Sequence, residues 1–204
     1  MNTNIYVDAF NLYYGCLRGT PFKWLDVAML CKVLLPRDTI HRIKYFTAVV
    51  EARSEDPGQR LRQQFYLRAL ATIPNLSIYY GHFLSHAVSM PLAANPKSKV
   101  IVIKTEEKGS DVNIATELLV DAFNDDFDLA VVVSNDSDLL APIKVVRRQF
   151  GKRVGLLNPQ RHPSVPLERE VDFLKSIRPG ALRKSQFPAT MSDSKGSFHK
   201  PPMW

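Results

Sequence analysis

The sequence predicts an α/β fold, a mainly parallel sheet covered by helices on both faces, and two observations carry that prediction. Short apolar runs such as Ile5 to Val7 and Leu129 to Val133 alternate along the chain with longer amphipathic segments. Strands joined through helices run parallel, because each crossover returns the chain to the same end of the sheet. Acidic or amide residues also stand where strands hand over to helices: Asp8 and Asn11 in IYVDAFN, Asp111 in KGSDV, and Asp136 and Asp138 in VVVSNDSDLL. In open sheets of this kind, sites form outside the carboxyl ends of the strands, where successive loops diverge.

In chain order, Ile5 to Val7 is a short apolar strand ending at Asp8, and Asn11 to Tyr14 opens a helical turn. Leu25, Met29 and Val33 share one face of a helix predicted from Leu25 to Leu35, which Pro36 stops. His41 to Val50 reads as a strand, with Ile43, Tyr45 and Thr47 alternating against Arg42, Lys44 and Phe46. After the breaker Asp56-Pro57-Gly58, Gln59 to Ala71 is a basic amphipathic helix and Leu76 to Tyr80 a strand. His82 to Lys97, with Pro91, Asn95 and Pro96, is expected to be a loop or hairpin arm, and Lys99 to Lys104 a further strand.

Ser110 or Asp111 caps a helix reaching Phe123, and the uniformly apolar Leu129 to Val133 is a fully buried strand. A helix is expected from Asp136 to about Phe150, a strand over Val154 to Leu157 and a last short helix over Leu167 to Ile177. Residues 1–178 form one domain in this reading. From Pro179 to Trp204 the chain is rich in Pro, Ser, Lys and Gly with little apolar periodicity, and a basic, disordered tail is expected.

Charge is distributed unevenly. The net charge is +7, from 27 basic and 20 acidic residues, yet Glu106 to Asp138 holds 10 acids and the single base Lys108. An acidic island inside a basic chain is what a protein needs if acids hold cations while surrounding bases hold phosphates. Solvated acidic helix ends would give the same count. No apolar stretch is long enough to span a bilayer and MNTNIYVDAF lacks the pattern of a secretory signal, so no membrane partner is expected. Cys16 and Cys31, without ligand spacing to other Cys or His, read as reduced structural thiols of a cytoplasmic protein. A homo-oligomer is compatible with the sequence.

Two carboxylates about 5 Å apart repel by roughly 3 kcal/mol at an effective dielectric near 20, so a cluster needs protons or a cation. Oxygen donors without His or Cys favour Mg²⁺ or Mn²⁺ over zinc or copper. Asp8 could merely cap its helix, but an acid closing an apolar strand is costly if buried unpaired. Asn11 is a candidate to orient Asp8, and Asp111 combines a capping position with a possible ligand role. Asp136 and Asp138 could simply favour a helix N-terminus through its dipole, although Ser-Asn-Asp-Ser-Asp is unusually polar for that alone. Glu117, six residues beyond Asp111, falls on a different helical face and stands between ligand and surface acid. Asp121, Asp125, Asp126 and Asp128 are expected to be solvated, and the histidines show no catalytic spacing.

The segments IYVDAFNLYYG, KGSDVNIATELLVDA and DLAVVVSNDSDLLAPIKVVRRQFGKRVGLL resemble, in that order, the NYN family of the PIN-like ribonuclease superfamily. The resemblance covers residues 4–160. It implies a Rossmann-like, three-layer sandwich with a mainly parallel central sheet, and a metal-dependent endoribonuclease acting on single-stranded or structured RNA. Its acidic site falls on Asp8, Asp111, Asp136 and Asp138, with Asn11 as the polar residue after the first strand. Glu117 stands where many relatives carry Asp.

The expected reaction is phosphodiester hydrolysis, with RNA as partner and DNA also compatible. Lys108 and Ser134 are candidate phosphate contacts, and Arg60, Arg62, Arg68, Lys144, Arg147 and Arg148 would track the backbone. Tyr13, Tyr14 and Phe83 could stack on bases or simply pack in the core. The alternative is a non-catalytic RNA-binding or regulatory module. A dinucleotide-binding oxidoreductase lacks its glycine-rich fingerprint after the first strand.

Overall fold

In the computed structural model, which describes residues 1–52 and 55–204, β1 (Asn2–Asp8) and β6 (Leu129–Val133) pair at the centre of a six-stranded sheet. On one side follow β2 (Thr39–Thr47) and β3 (Leu76–Tyr80), on the other β7 (Arg153–Asn158) and β8 (Phe173–Ser176). Every neighbouring pair is parallel. The chain builds outward in one direction from β1 and, after β3, returns to build outward in the other from β6. The order reverses between β1 and β6, which is where an open α/β sheet forms its crevice.

The strand sequences explain the three layers. Ile5 and Val7 of β1 join Leu129, Val131 and Val133 of β6 in one core, whereas Tyr6, Ala130 and Val132 enter the other. Alternation at period two thus places apolar side chains on both faces, and both must be covered. The first core is closed by α2 (Val27–Leu34) and α3 (Gln59–Leu70). The second is closed by α4 (Ser110–Phe123), α5 (Leu140–Arg148) and α6 (Val165–Glu170). Each fully buried Leu or Ile contributes about 1.5–3 kcal/mol to this arrangement.

One expected strand lies outside the central sheet, and two expected helices are corrected. The apolar run within Lys99 to Lys104 does not enter the sheet; it belongs to β5 (Asn95–Lys108), which pairs antiparallel with β4 (His82–Leu92) in a separate hairpin. Ile101 and Ile103 there are 77% and 72% exposed, so their β-branched pattern reflects strand propensity, not burial. The expected helix over Leu167 to Ile177 divides into α6 and the edge strand β8. The helix expected from Asp136 begins as a 3₁₀ turn, Ser137–Leu139, before α5.

The expected disordered tail is folded. It forms α7 (Pro179–Lys184) and a hairpin of β9 (Thr190–Asp193) and β10 (Gly196–His199). Trp24, fully buried, draws Phe187, Phe198 and Trp204 edge-on around its ring, with centroids at 5.9, 6.5 and 6.3 Å. The Trp24 indole N–H donates to the Pro188 carbonyl at 2.8 Å. Arg68 of α3 grips Asp193 through two hydrogen bonds of 2.7 and 2.6 Å and lies over the Phe198 ring. Among the described residues no helix is long and apolar enough to cross a membrane.

Candidate active site

The carboxyl ends of β1 and β6 are joined through side chains. Asp8 terminates β1 at 5% exposure and caps α1 (Ala9–Leu12), one oxygen accepting from the Asn11 backbone N–H at 2.9 Å. Its other oxygen accepts from Ser134 Oγ at 2.9 Å. Ser134 Oγ accepts in turn from the Asp136 backbone N–H at 3.1 Å, and the Asp136 carboxylate accepts from the Asp138 N–H at 2.9 Å. Asn11 completes the rim: its side-chain oxygen accepts from the Asn135 N–H at 3.1 Å.

Asp111 reaches this rim from the first turn of α4. The expected cap is not made by Ser110 or Asp111; the helix begins after Gly109, whose φ of 99° favours glycine, and no cap side chain bonds there. Glu107 does that work instead, one oxygen accepting from the Ser110 N–H at 3.2 Å and from Ser110 Oγ at 2.8 Å. Among the described residues no hydrogen bond ties the Asp111 carboxylate to its helix end, and its charge acts on the other acids.

Burial pushes the Asp8 carboxyl up to about 6, helped by the charges of Asp111 and Asp136 and opposed by the hydrogen bonds from Asn11 and Ser134. Asp111 is also raised, by burial and then by Asp136, Glu107 and Asp138. These shifts show that the acids of the three sequence clusters share one electrostatic neighbourhood. Among the described residues, none of Asp8, Asp111, Asp136 or Asp138 forms an ion pair with Lys, Arg or His. Neither do three or more acids, histidines or cysteines among the described residues converge closely enough to enclose an ion by themselves.

Glu117 is corrected: its carboxylate accepts from Lys44 Nζ at 2.7 Å. Lys44, inward-facing on β2, also pairs with Asp121 at 2.7 Å, and Tyr6 donates its hydroxyl to Asp121 at 2.6 Å. Burial acts to lower the Lys44 pKa, but Asp121 and Glu117 outweigh it and hold the pKa raised. Asp121 is therefore buried, not solvated, while Asp126 and Asp128 bond Asn4 and the Asn2 N–H. The acidic island divides in two, with one half at the rim and the other bracing β1 and β2.

Most candidate phosphate contacts are also engaged. Ser134 is fully buried between Asp8 and Asp136, and Lys108 pairs with Glu106 at 3.5 Å. Arg62 pairs with Asp56, Arg68 with Asp193, Arg147 with Asp172 and Arg148 with Glu170. Arg60 and Lys144 have no carboxylate partner among the described residues. Phe83 meets Phe10 edge-on at 5.7 Å.

Arg161 and His162, in the loop after β7, were not singled out by sequence. With Asn11, Asn135 and Gln160 they line a hollow of about 270 Å³ at the rim. Asn135 fixes that loop by donating to the His162 carbonyl at 3.1 Å and accepting from the Ser164 N–H at 2.7 Å. The signal available was weak, a basic RHP run shortly after an apolar strand.

Residues 2–177 match the NYN domain family. The 6-hydroxy-3-succinoylpyridine 3-monooxygenase HspA of Pseudomonas putida (strain DSM 28022 / S16) is similar at 29% identity over 236 residues, covering 100% of this chain and 75% of that protein. A crystal structure of a protein of unknown function, VPA0982 from Vibrio parahaemolyticus RIMD 2210633, is similar in fold, with a TM-score of 0.55 and 19% identity. That match covers 91% of this chain and 96% of the other. With its parallel sheet, its acidic rim and a family match across most of its length, the chain belongs to the NYN domain family.

Proposed function

We propose that the chain is a metal-dependent endoribonuclease that hydrolyses RNA phosphodiester bonds at the rim built from Asp8, Asp111, Asp136 and Asp138. The observation that carries this reading is the Asp8–Ser134–Asp136 linkage across the strand-order reversal, with Asp111 near enough to raise the Asp8 pKa.

The donor set fits Mg²⁺ or Mn²⁺: carboxylate oxygens without an ion-paired base, two of the acids raised by burial and by one another. Because three acids do not converge on one point among the described residues, a cation held here would retain several waters, as Mg²⁺ does. When bound, it would lower the pKa of water and stabilise charge on the phosphodiester in flight. Asp8, Asp111 and Asp136 would hold it in part through those waters, with Asp138 beside them.

The chain's own residues fix the acids in place. Ser134 and the Asn11 N–H fix both oxygens of Asp8. So held, and with its pKa raised to about 6, Asp8 is largely ionised at neutral pH and available as a ligand, while protons would compete with the cation in mildly acidic solution. Asn11 holds the Asn135 backbone, and so the mouth of β6, against α1. Arg161, Arg60 and Lys144 are among the bases available to meet RNA phosphates.

A second reading follows from HspA, named as a monooxygenase of a substituted pyridine and similar over the whole chain. It would make this protein an oxygenase of a small aromatic acid, consuming O₂ and a two-electron donor. Labelled single-stranded RNA and matched DNA incubated in Mn²⁺, Mg²⁺ or EDTA, beside oxygen uptake with 6-hydroxy-3-succinoylpyridine and reduced nicotinamide, separate the two. Metal-dependent RNA cleavage without oxygen uptake supports the nuclease; oxygen uptake with intact RNA supports the oxygenase.

A further inference from the structure

A second cavity opens beside Asp8 on the α3 face of the sheet, about 420 Å³ in volume. That is the size of sites that enclose small organic ligands, about 300–1,000 Å³. Ala9 and Phe10, directly after Asp8, line it, and its floor is Tyr45, whose pKa is raised by burial and by the Asp8 charge. The cavity therefore borders the acidic rim.

Its walls are aromatic and come from separate parts of the chain. Tyr13 and Tyr14, in the π-helical turn after α1, meet edge-on at 5.3 Å. Tyr66 of α3 meets Tyr45 at 6.4 Å and Trp204 at 5.5 Å. Tyr14 lines the cavity and remains 51% exposed, so part of its side chain is accessible to a ligand. Arg18 lies over the Tyr14 ring, 5.5 Å from its centroid, and among the described residues it has no carboxylate partner. Arg62 in the same wall is neutralised by Asp56, and among the described residues Arg18 and Lys23 are the lining bases without a carboxylate partner, Arg18 being the one seated over an aromatic ring.

We propose that this cleft binds a planar aromatic ring carrying an anionic group, the ring stacking on the tyrosine and tryptophan walls and the anion meeting Arg18. Aromatic faces accept any flat π-system and a guanidinium favours phosphate or carboxylate, so this chemistry describes a nucleotide unit and equally a free heteroaromatic acid. The inference deepens the nuclease reading by naming a base subsite next to Asp8, and rests on it only in taking RNA as the first source of the ring.

The test is binding without turnover. Intrinsic tryptophan fluorescence, to which Trp204 in the cleft wall contributes, is titrated in EDTA with adenosine 5′-monophosphate, nicotinate, short single-stranded RNA and ribose 5-phosphate. Arg18→Ala and Tyr14→Ala are compared with the unmodified chain, both at surface positions where circular dichroism verifies folding. Saturable binding of the ring-bearing anions is expected, weakened about tenfold by either substitution, with ribose 5-phosphate bound at least as poorly as by the variants. RNA that displaces the mononucleotide identifies the polymer as the source; nicotinate binding that RNA does not displace identifies a free acid. No saturable binding, or binding unchanged in both variants, overturns the proposal. Saturable binding by a chain that leaves RNA intact in Mn²⁺ would contradict the nuclease reading alone.

Discussion

Ser134 Oγ donates to Asp8 Oδ2 at 2.9 Å, a contact between residues 126 apart in sequence that locks the carboxyl ends of the two central strands together. The same hydroxyl accepts from the Asp136 N–H, so one buried atom sets the spacing of two acids at the rim. Replacing Ser134 by Ala leaves the Asp136 N–H unsatisfied and costs about 1–3 kcal/mol of stability, read by urea denaturation. It also removes a bond that favours ionised Asp8, so the acid limb of the pH–cleavage profile moves to higher pH. An unmoved limb would separate Ser134 from the function of Asp8.

Asp8 lies near 6 in the folded chain against an ordinary 3.8. Between these values the folded state binds the proton more tightly than the unfolded chain, so the associated stability is full below 3.8 and is lost as pH rises through about 6. That gap corresponds to about 3 kcal/mol. Asp8→Asn, which carries no charge to desolvate, is therefore expected to be more stable than the native chain at pH 7.5, by about 1–3 kcal/mol, while losing activity. Thermal unfolding at pH 4.5 and 7.5 checks this; the advantage falls to about a third at the lower pH. Millimolar Mn²⁺ should raise the native melting temperature at pH 7.5 and leave that of the variant unchanged.

Lys44 sits between two acids with a side chain only 6% exposed. Lys44→Met strands Asp121 without its counter-charge, and a loss of about 3–5 kcal/mol is expected in chemical denaturation. Glu117→Gln keeps the shape and leaves the Lys44–Asp121 pair in place, so it should cost about 1 kcal/mol or less and retain cleavage. Abolished activity in Glu117→Gln would return that residue to the metal site.

Phe198 is 2% exposed, against Trp24 and beneath Arg68. Because the last residues are packed on Trp24, Phe198→Ala should cost about 3–5 kcal/mol. Backbone amides of β9 and β10 should likewise exchange slowly with deuterium in the native chain and rapidly in the variant. Fast exchange in both would show a tail detached from the core.

What the sequence made legible was what depends on neighbours in the chain. Polar Asp8 after IYV, and SNDSD after the apolar LAVVV run, mark strand ends directly, and period two in β1 and β6 predicts a sheet buried on both faces. Whatever depends on distant partners stayed hidden. The VIVI run of β5 has the composition of a buried strand, but only its pairing with β4 reveals a solvent-exposed hairpin. Phe187, Phe198 and Trp204 are too widely spaced to show a periodicity, and what orders them is Trp24, far earlier in the chain. The ion pair of Glu117 became visible only once β2 placed Lys44 opposite it. Strand order, which brings Asp8 beside Ser134 and Asp136, came from the topology alone.

The most direct measurement is single-turnover cleavage of end-labelled RNA in Mn²⁺ and in EDTA by the native chain and by Asp8→Asn, Asp111→Asn and Asp136→Asn. The account predicts cleavage in Mn²⁺, none in EDTA, and a rate reduced about 100-fold or more in each variant, with RNA binding retained. Intact RNA with the native chain, or cleavage that persists in EDTA or in all three variants, would contradict it.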